Sequence, residues 1–313
     1  MQSAASRRSF LQFGLTAAAA SLLPRWALAQ AHGSGQYDPA TLPVKPTKLA
    51  DNLYLLQGAG GNMALQFGPD GLLLIDSSFA PAVPRIREAI AALVPAPPAA
   101  PSLLVNTHWH GDHTGGNEGM HAAGYTILAH RQTRQRLSTT QTMKLFNRTI
   151  PPSPAGALPT QVFDETFTLF RNGDTVDMVH YAPAHTDTDI TLTFGSANVV
   201  HMGDLWFNGI YPVIDESTGG NIHGMIAASA KALTLVDANT KIIPGHGPLG
   251  DKAQLQAFHD MLSGVRDKVA ALKQAGLSEQ EAVAKKPTAD FDSKWGQGIV
   301  NADVLTGIVY RTL

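Results

Sequence analysis

The sequence predicts one mixed α/β domain of the α+β type, a sandwich of two β-sheets covered by helices. Short apolar runs alternate with helical segments in both halves of the 313-residue chain. Neither a repeat of solenoid period nor a clear linker separates the halves. With 44% hydrophobic and 15% charged residues, the composition allows a substantial core and excludes a disordered chain.

Four predicted strands and one predicted helix precede the densest histidine cluster of the sequence. Apolar runs that end at the glycine-bearing turns 58–61 and 68–71 predict strands. The spacing of Ile86, Ile90 and Leu93 predicts a helix over 84–94. The predicted strands cover 53–56, 63–67, 72–75 and 103–105.

The second half repeats this alternation of short strands and longer helices. Strands are predicted at 167–170, 175–181, 190–194, 198–202 and 241–243. Helices are predicted at about 222–236 and 252–274, where apolar residues recur at helical spacing.

Residues 1–29 resemble an export signal. Arg7 and Arg8 precede an apolar stretch that runs from 13 to about 23, and 27–29 read Ala-Leu-Ala, which is typical of a cleavage site. The apolar stretch is too short to span a bilayer of about 30 Å, so we expect a cleaved twin-arginine-type signal peptide and no permanent membrane anchor. This predicts a periplasmic protein, with an extended lead-in over 30–47 before the domain at 48–313.

Charge and cysteine content exclude several classes of partner and site. The chain has 23 basic and 25 acidic residues, and removing the three arginines of 1–29 leaves 20 against 25, a net charge of −5. An acidic chain without basic runs disfavours nucleic acid and favours a small-molecule substrate. The absence of cysteine excludes disulfides and thiolate ligands, so any metal must be held by histidine and carboxylate.

The segment 106–116 carries three histidines and one aspartate within six residues, directly after the predicted strand at 103–105. Alternate residues of an extended segment point to one side, so His108 and His110 can share a metal ion. The turn that follows can present Asp112 and His113 to a second ion nearby. Imidazole nitrogen and carboxylate oxygen are ligands that Zn²⁺ prefers.

This H-x-H-x-D-H pattern resembles the signature of the metallo-β-lactamase superfamily, and the resemblance covers about residues 50–250. It implies an αββα metallo-β-lactamase fold and two Zn²⁺ per chain. His185, Asp204 and His246 follow at predicted strand ends, in the order that the family requires. The resemblance assigns His108, His110 and His185 to the first zinc, Asp112, His113 and His246 to the second, and Asp204 as the bridge.

The same resemblance suggests roles for neighbouring residues. Asp112 is expected to orient the nucleophile or move its proton, besides binding metal. Asp76 and Asp187 are expected to support the metal loops by hydrogen bonds. His180 and His201 flank ligand strands and are weaker candidates for such support.

The substrate pocket is predicted from residues close in sequence to the ligands. Aromatic side chains there can line an apolar pocket, although burial in the core is an equal alternative for Trp206 and Phe207. The long segment 140–158 is predicted to lie over the site as a flexible lid. The pocket candidates are Trp109, Trp206, Phe207, Tyr211, Asn221 and His223.

The resemblance implies a hydrolase in which water attacks an acyl C–N or C–O bond, with β-lactamase-like activity as the leading interpretation. Asp204 differs from the Cys or Ser that β-lactamases place at the bridging position, and Asp there is typical of lactonases and glyoxalase II-like thioesterases. Those two activities are therefore the alternatives, and a non-catalytic metal-binding protein is the alternative of another class. His110 favours zinc over the di-iron relatives of the family.

Overall fold

The structure is a computed structural model that describes residues 38–94 and 100–313. A seven-stranded and a five-stranded sheet pack face to face, and helices cover their outer faces. This confirms the predicted α/β sandwich. The predicted signal peptide lies outside the described residues.

The first sheet has the strand order β1-β2-β3-β4-β5-β6-β9. Its strands β4, β5, β6 and β9 are parallel, so their carboxyl ends meet at one edge of the sheet. The strands are β1 (Lys45–Ala50), β2 (Leu53–Gln57), β3 (Met63–Gly68), β4 (Gly71–Ile75), β5 (Ser102–Asn106), β6 (Tyr125–His130) and β9 (Gln161–Phe163).

The second sheet has the strand order β10-β11-β12-β13-β14, with β13 and β14 parallel. Its strands are β10 (Thr166–Arg171), β11 (Asp174–His180), β12 (Ile190–Phe194), β13 (Val199–His201) and β14 (Lys241–Ile243). A separate hairpin, β7 (Gln141–Met143) and β8 (Arg148–Ile150), lies within the segment predicted as a lid.

Nine α-helices occur within the described residues, two of them close to the predicted positions 84–94 and 222–236 and one at the predicted 252–274. They are α1 (Val83–Leu93), α2 (Gly111–Thr114), α3 (Asn117–Ala122), α4 (Arg131–Leu137), α5 (Ile222–Leu235), α6 (Lys252–Gln274), α7 (Glu279–Ala284), α8 (Ala289–Trp295) and α9 (Ala302–Thr312). None of the helices in this part of the chain combines the length and apolarity that crossing a bilayer requires.

Alternation along the strands explains the layers. On β4, Leu73 and Ile75 face the second sheet, whereas Leu72 and Leu74 face the helix layer that contains Ile86. Because side chains of a strand alternate between faces, a continuous apolar run is buried on both sides. The run 72–75 therefore places β4 in the centre of the fold.

The layer on the other side is built by α5, α6 and the C-terminal helices. Helix α6 begins at a capping box in which Asp251 accepts from the Gln254 N–H and the Gln254 side chain accepts from the Asp251 N–H. It buries Phe258, Leu262 and Val265 against α5 and α9. These contacts fix the outer face of the second sheet.

Several strands depart from the sequence-based expectations. Strand β1 begins at Lys45, inside the expected lead-in, and pairs with β2. The strands β6 and β9 and the hairpin β7–β8 were not predicted, and the hairpin strands have only three residues each, half of them exposed. The domain boundaries themselves stay a prediction.

Candidate metal centre

The ligands lie at the carboxyl ends of neighbouring strands. Strand β5 ends at Asn106, and the extended residues that follow bring His108 and His110 to the sheet edge. The short helix α2 then begins after His110 and presents Asp112 and His113. His185, Asp204 and His246 lie in the loops that follow β11, β13 and β14. Together with the loop after β5 and the loop after β4, which carries Asp76, five loops meet at one edge of the sandwich.

The structure brings all seven predicted ligands together in two clusters. In each cluster the potential ligand atoms lie within 4.8 Å of one another, and the residues form the sets His108, His110, His185, Asp204 and Asp112, His113, His246. This division matches the assignment implied by the family resemblance.

The first cluster is fully buried. Nε2 of His185 lies 2.8 Å from Nδ1 of His110 and 3.3 Å from Oδ2 of Asp204. Nε2 of His108 lies 3.8 Å from the same Asp204 oxygen. Three imidazole nitrogens and one carboxylate oxygen thus converge on one point.

The second cluster lies on the other side of the Asp204 carboxylate. Nε2 of His246 is 3.2 Å from Oδ2 of Asp112 and 3.4 Å from Nε2 of His113. Asp204 contacts this cluster too, with Oδ1 3.1 Å from Nε2 of His113 and Oδ2 3.5 Å from Nε2 of His246. One carboxylate therefore joins the two clusters.

Asp76, which follows β4, hydrogen-bonds to the segment that carries the predicted ligands. Oδ2 of Asp76 accepts from Nδ1–H of His113 at 2.7 Å and from the Thr107 hydroxyl at 2.8 Å, and Oδ1 accepts from the Thr107 N–H at 2.8 Å. The Thr107 hydroxyl oxygen accepts in turn from Nδ1–H of His108 at 3.1 Å. These bonds fix the tautomers that present Nε2 of both histidines to the clusters.

His110 and His185 are oriented by partners that sequence reasoning missed. Nε2–H of His110 donates to Oδ2 of Asp215 at 3.2 Å, which leaves Nδ1 for the cluster. Nδ1–H of His185 donates to the Val213 carbonyl at 2.7 Å, which leaves Nε2. Both partners lie in the loop between β13 and α5, and no local motif marks them.

The loop that carries His185 is held by Asp189, and the expectation for Asp187 is corrected. Oδ2 of Asp189 accepts from the N–H groups of His185 and Thr186 at 2.9 and 2.8 Å. Asp187 forms an ion pair with the Arg136 guanidinium, whose Nε donates at 3.1 Å. Its side chain therefore ties this loop to α4 and does not contact a ligand side chain.

His201 supports the loop of the bridging carboxylate. Its Nδ1 accepts from the Gly203 N–H at 3.1 Å, and its Nε2–H donates to the Asn62 carbonyl at 3.1 Å. Burial lowers the pKa of His201 to about 4, in keeping with a neutral ring that both donates and accepts. His180 donates from Nε2–H to the Asp187 carbonyl and stacks on His130, so it has no direct contact with the clusters.

Electrostatics differ between the two clusters. Burial lowers the pKa of His185 to about 4, so this ring is neutral as a ligand must be. Burial alone would lower the pKa of His246, yet the carboxylates of Asp204 and Asp112 raise it to about 9. Burial opposes ionisation of Asp204 as well, but His246 and His113 hold its pKa well below the usual value. The carboxylates of Asp204 and Asp112 thus favour positive charge in the second cluster.

The donor set fits two divalent cations. Nε2 of His108 is buried and has no hydrogen-bond partner within the described residues, a costly arrangement unless the nitrogen binds a cation. Five imidazoles and two carboxylates are the ligand types that zinc prefers, with no thiolate in the chain. Hydrogen bonds already fix the outer ring nitrogens of four of the five histidines, His108, His110, His113 and His185, as in established zinc sites.

The pocket candidates divide into two groups. The Trp109 ring packs on His110 with ring centroids 4.6 Å apart, and its other contacts include the wall of a cavity that none of the seven predicted ligands lines. The Phe207 ring stacks on His246 with centroids 5.2 Å apart. Both aromatic rings therefore border the metal centre.

The other four pocket candidates have structural positions. Trp206 is fully buried in the core, and the Tyr211 hydroxyl donates to Asp292 at 2.8 Å in the C-terminal layer. Asn221 caps α5 by accepting from the Gly224 N–H at 2.8 Å, and His223 is exposed in the first turn of that helix. Proximity in sequence to Asp204 thus indicated proximity to the metal centre for Phe207 but not for these four residues.

Comparison with known proteins identifies the family. The sequence pattern of the Metallo-beta-lactamase superfamily matches residues 56–246, more than half of the chain. A hydroxyacylglutathione hydrolase of Nitrosococcus oceani is 30% identical over 146 residues, which are 46% of this chain and 47% of that protein. The chain thus matches about half the length of this curated relative.

Solved structures share the fold at low sequence identity. A metallo-beta-lactamase from Pontibacter korlensis superposes with a TM-score of 0.55 at 16% identity, covering 70% of this chain and 99% of that one. The inverting sec-alkylsulfatase Pisa1 from Pseudomonas sp. superposes with a TM-score of 0.64 at 16% identity, covering 86% of this chain and 50% of that one. With its αββα sandwich and its His/Asp metal-site groups, the chain belongs to the metallo-β-lactamase superfamily.

Proposed function

We propose that the protein is an exported di-zinc hydrolase that cleaves an acyl bond of a small molecule. The observation that carries this proposal is the Asp204 carboxylate, whose oxygens lie 3.1–3.8 Å from imidazole nitrogens of both clusters. A protein that only stored or relayed one metal ion would have no use for a carboxylate shared between two buried sets of ligands.

Two zinc ions, when bound, would supply a water whose pKa is lowered towards about 7 and a Lewis acid for the acyl oxygen. Asp112 is the ligand placed to handle the proton of that water. Its side chain is 18% exposed, whereas those of the other six ligands are 0–6% exposed. The Asp112 carboxylate is thus the part of the site that a substrate or water meets first.

In the metal-free chain, neighbouring charges keep Asp112 ionised at neutral pH. Burial raises the pKa of the Asp112 carboxyl, but His113 and His246 outweigh burial and hold it well below the usual value. An ionised Asp112 can accept a proton from water and return it to a leaving group. No Ser or Cys nucleophile is needed for this chemistry.

Two substrate classes follow from different features. β-Lactam hydrolysis, the leading interpretation from the sequence, is supported by the likeness of fold to metallo-β-lactamases and by the predicted export signal. Ester, lactone or thioester hydrolysis is supported by a carboxylate at the bridging position and by the similarity to a hydroxyacylglutathione hydrolase. Both classes share attack on an acyl carbon, so the chemical step is the same.

The test is turnover of a penicillin, a carbapenem, a lactone and a thioester by the zinc-loaded mature chain and by Asp112→Asn. We expect turnover of at least one substrate and a loss of about 10²–10⁴-fold in the variant, the usual contribution of general acid–base catalysis. His259→Ala is the control, because this partly buried residue of α6 pairs with Asp260 and belongs to neither cluster. Near-wild-type turnover by Asp112→Asn would refute the mechanism, and a zinc-loaded chain inactive on all four substrates would favour the non-catalytic alternative.

A further inference from the structure

The four edge strands of the two large sheets differ in how they are protected against pairing with another chain. Charged residues, proline, bulges or shortness normally prevent a further strand from adding to an edge. Strand β1 has Lys45, Pro46 and Lys48, and its register with β2 shifts after Lys48. Strands β9 and β14 have only three residues each, and Ile242 of β14 already exchanges backbone hydrogen bonds with Gly250. Three of the four edges are therefore protected.

Strand β10 has none of these protections. It pairs with β11 along all six of its residues without a shift of register, and within the described residues no strand lies on its other side. Its sequence, Thr-Phe-Thr-Leu-Phe-Arg, has no proline and no charge before Arg171. Phe170 is 82% exposed. Aromatic and β-branched residues favour strands, so β10 is an exposed edge that is ready to pair.

The backbone groups that β10 directs outward follow from its pairing with β11. The Glu165 carbonyl, directly before β10, accepts from the N–H of His180, the residue opposite it. Because bonded and non-bonded pairs alternate along an antiparallel ladder, the backbone of the odd-numbered residues of β10 faces β11, and that of the even-numbered residues faces outward. The outward-facing residues are Thr166, Thr168 and Phe170.

This row of outward-facing groups is complementary to itself. If two copies of β10 run antiparallel around a two-fold axis at Thr168, this residue faces Thr168 of the second copy, and Thr166 faces Phe170. Every outward N–H and C=O group of the strand then has a partner. On the face that packs against the first sheet, Phe167 and Leu169 lie opposite each other, and both are only partly buried in the single chain. Cross-strand pairs of this kind stabilise a sheet.

The same register also brings opposite charges together. Glu165 lies three positions before Thr168 and Arg171 three positions after it, so each Glu165 faces Arg171 of the other copy on one face of the sheet. Glu165 is exposed, and the Arg171 guanidinium donates to the carbonyl groups of Leu72 and Pro101, which do not neutralise its charge. A register shifted by two residues loses both charge pairs. Charge therefore selects the register that is centred on Thr168.

We propose that two copies of this chain associate through β10 into a two-fold symmetric dimer, in which their five-stranded sheets join into one continuous sheet. A second copy is the partner that fits, because both the hydrogen-bonding row and the Glu165–Arg171 charges are complementary to themselves. The inference is independent of the proposed hydrolase activity, since β10 carries none of the predicted metal ligands.

The first test measures the mass of the mature chain by analytical ultracentrifugation up to high micromolar concentration. We expect a dimer. Thr168→Lys places two positive charges opposite each other at the two-fold axis and should weaken the dimer at least about tenfold. Thr149→Lys, at an exposed strand position of the separate hairpin, is the matched control and should leave the dimer unchanged. Both variants should keep the zinc content and the circular dichroism of the wild type. A monomeric wild type, or a dimer that Thr168→Lys does not weaken, would overturn the proposal.

The second test reads the register directly and uses the absence of cysteine from the chain. Opposite residues of a bonded antiparallel pair have Cα atoms about 5.5 Å apart, within the range of about 4.4–6.8 Å that a disulfide spans. Mild oxidation should therefore convert Thr168→Cys into a covalent dimer. In the same register the two copies of position 170 are four residues apart along the strands, about 14 Å, so Phe170→Cys should stay uncoupled. Cross-linking of neither variant, equal cross-linking of both, or a preference for Phe170→Cys would overturn the proposal.

Discussion

Gly61→Ala tests whether the backbone next to the second cluster fixes the position of His113. A Cβ on Gly61 would lie 2.6 Å from Nδ1 of His113 and closer still to Cε1 and Nε2. Ordinary contact begins at 3.4 Å, so the ring would have to retreat by at least about 0.8 Å. Ligand distances in metal sites tolerate only about 0.2 Å. The substitution should therefore remove His113 from the second metal position.

The expected result is a selective loss of metal affinity. We expect one zinc ion to bind at least about 10–100-fold more weakly, the range typical of losing a residue that hydrogen-bonds to a metal ligand. We also expect overpacking to lower the unfolding free energy by about 1–3 kcal/mol. Chelator competition measures the affinity, and denaturant titration measures the stability. Gly111→Ala is the matched control, because its Cβ meets nothing within 4 Å. Full occupancy of two tight sites in Gly61→Ala would refute the reasoning.

Three further predictions follow from the same structure. Asp76→Asn keeps the shape of a side chain that accepts from His113 and Thr107 but removes its charge, and should weaken zinc binding by about 10–100-fold in chelator competition. Zinc affinity should rise about tenfold per pH unit between pH 6 and 9, because the pKa of His246 lies at about 9 without metal and zinc must displace that proton. Competition titrations at several pH values measure this, and an affinity independent of pH would contradict it. Leu74→Ala, in the centre of the first sheet, should lower the unfolding free energy by about 2–5 kcal/mol in denaturant titration without changing the zinc stoichiometry.

The convergence of the seven candidate ligands could be predicted because each of them belongs to a short motif at the end of a strand. Four of the seven ligands occupy 108–113, so their proximity is local. The other three follow apolar runs that fold as β11, β13 and β14, and parallel pairing of β13 with β14 brings two of those ends together. Alternation and apolar runs thus predicted both the sandwich and the edge at which the metals would bind.

The residues that orient the ligands could not be predicted in the same way. Asp215 lies 105 positions after His110, and the Val213 carbonyl carries no sequence signal at all. Asp187 and Asp189 stand two residues apart in one turn, and only the tertiary position of Arg136 decides which of them holds the His185 loop. Which residue orients a ligand therefore depends on packing between segments that are distant in the sequence.

The cavity whose wall includes Trp109 shows the same limit. Its wall combines α4 with the hairpin β7–β8, whose three-residue strands are half exposed and mostly polar. Proximity in sequence to a ligand was a poor guide: Trp109 borders the cavity, whereas Trp206 and Tyr211 are part of the core.

The most direct test of the central claim is the zinc content of the purified mature chain, measured by elemental analysis after removal of free metal. Two buried clusters joined by Asp204 predict two zinc ions per chain, in the wild type and in the control variant His259→Ala alike. One zinc ion per chain, or none, under conditions of excess zinc would contradict a binuclear centre.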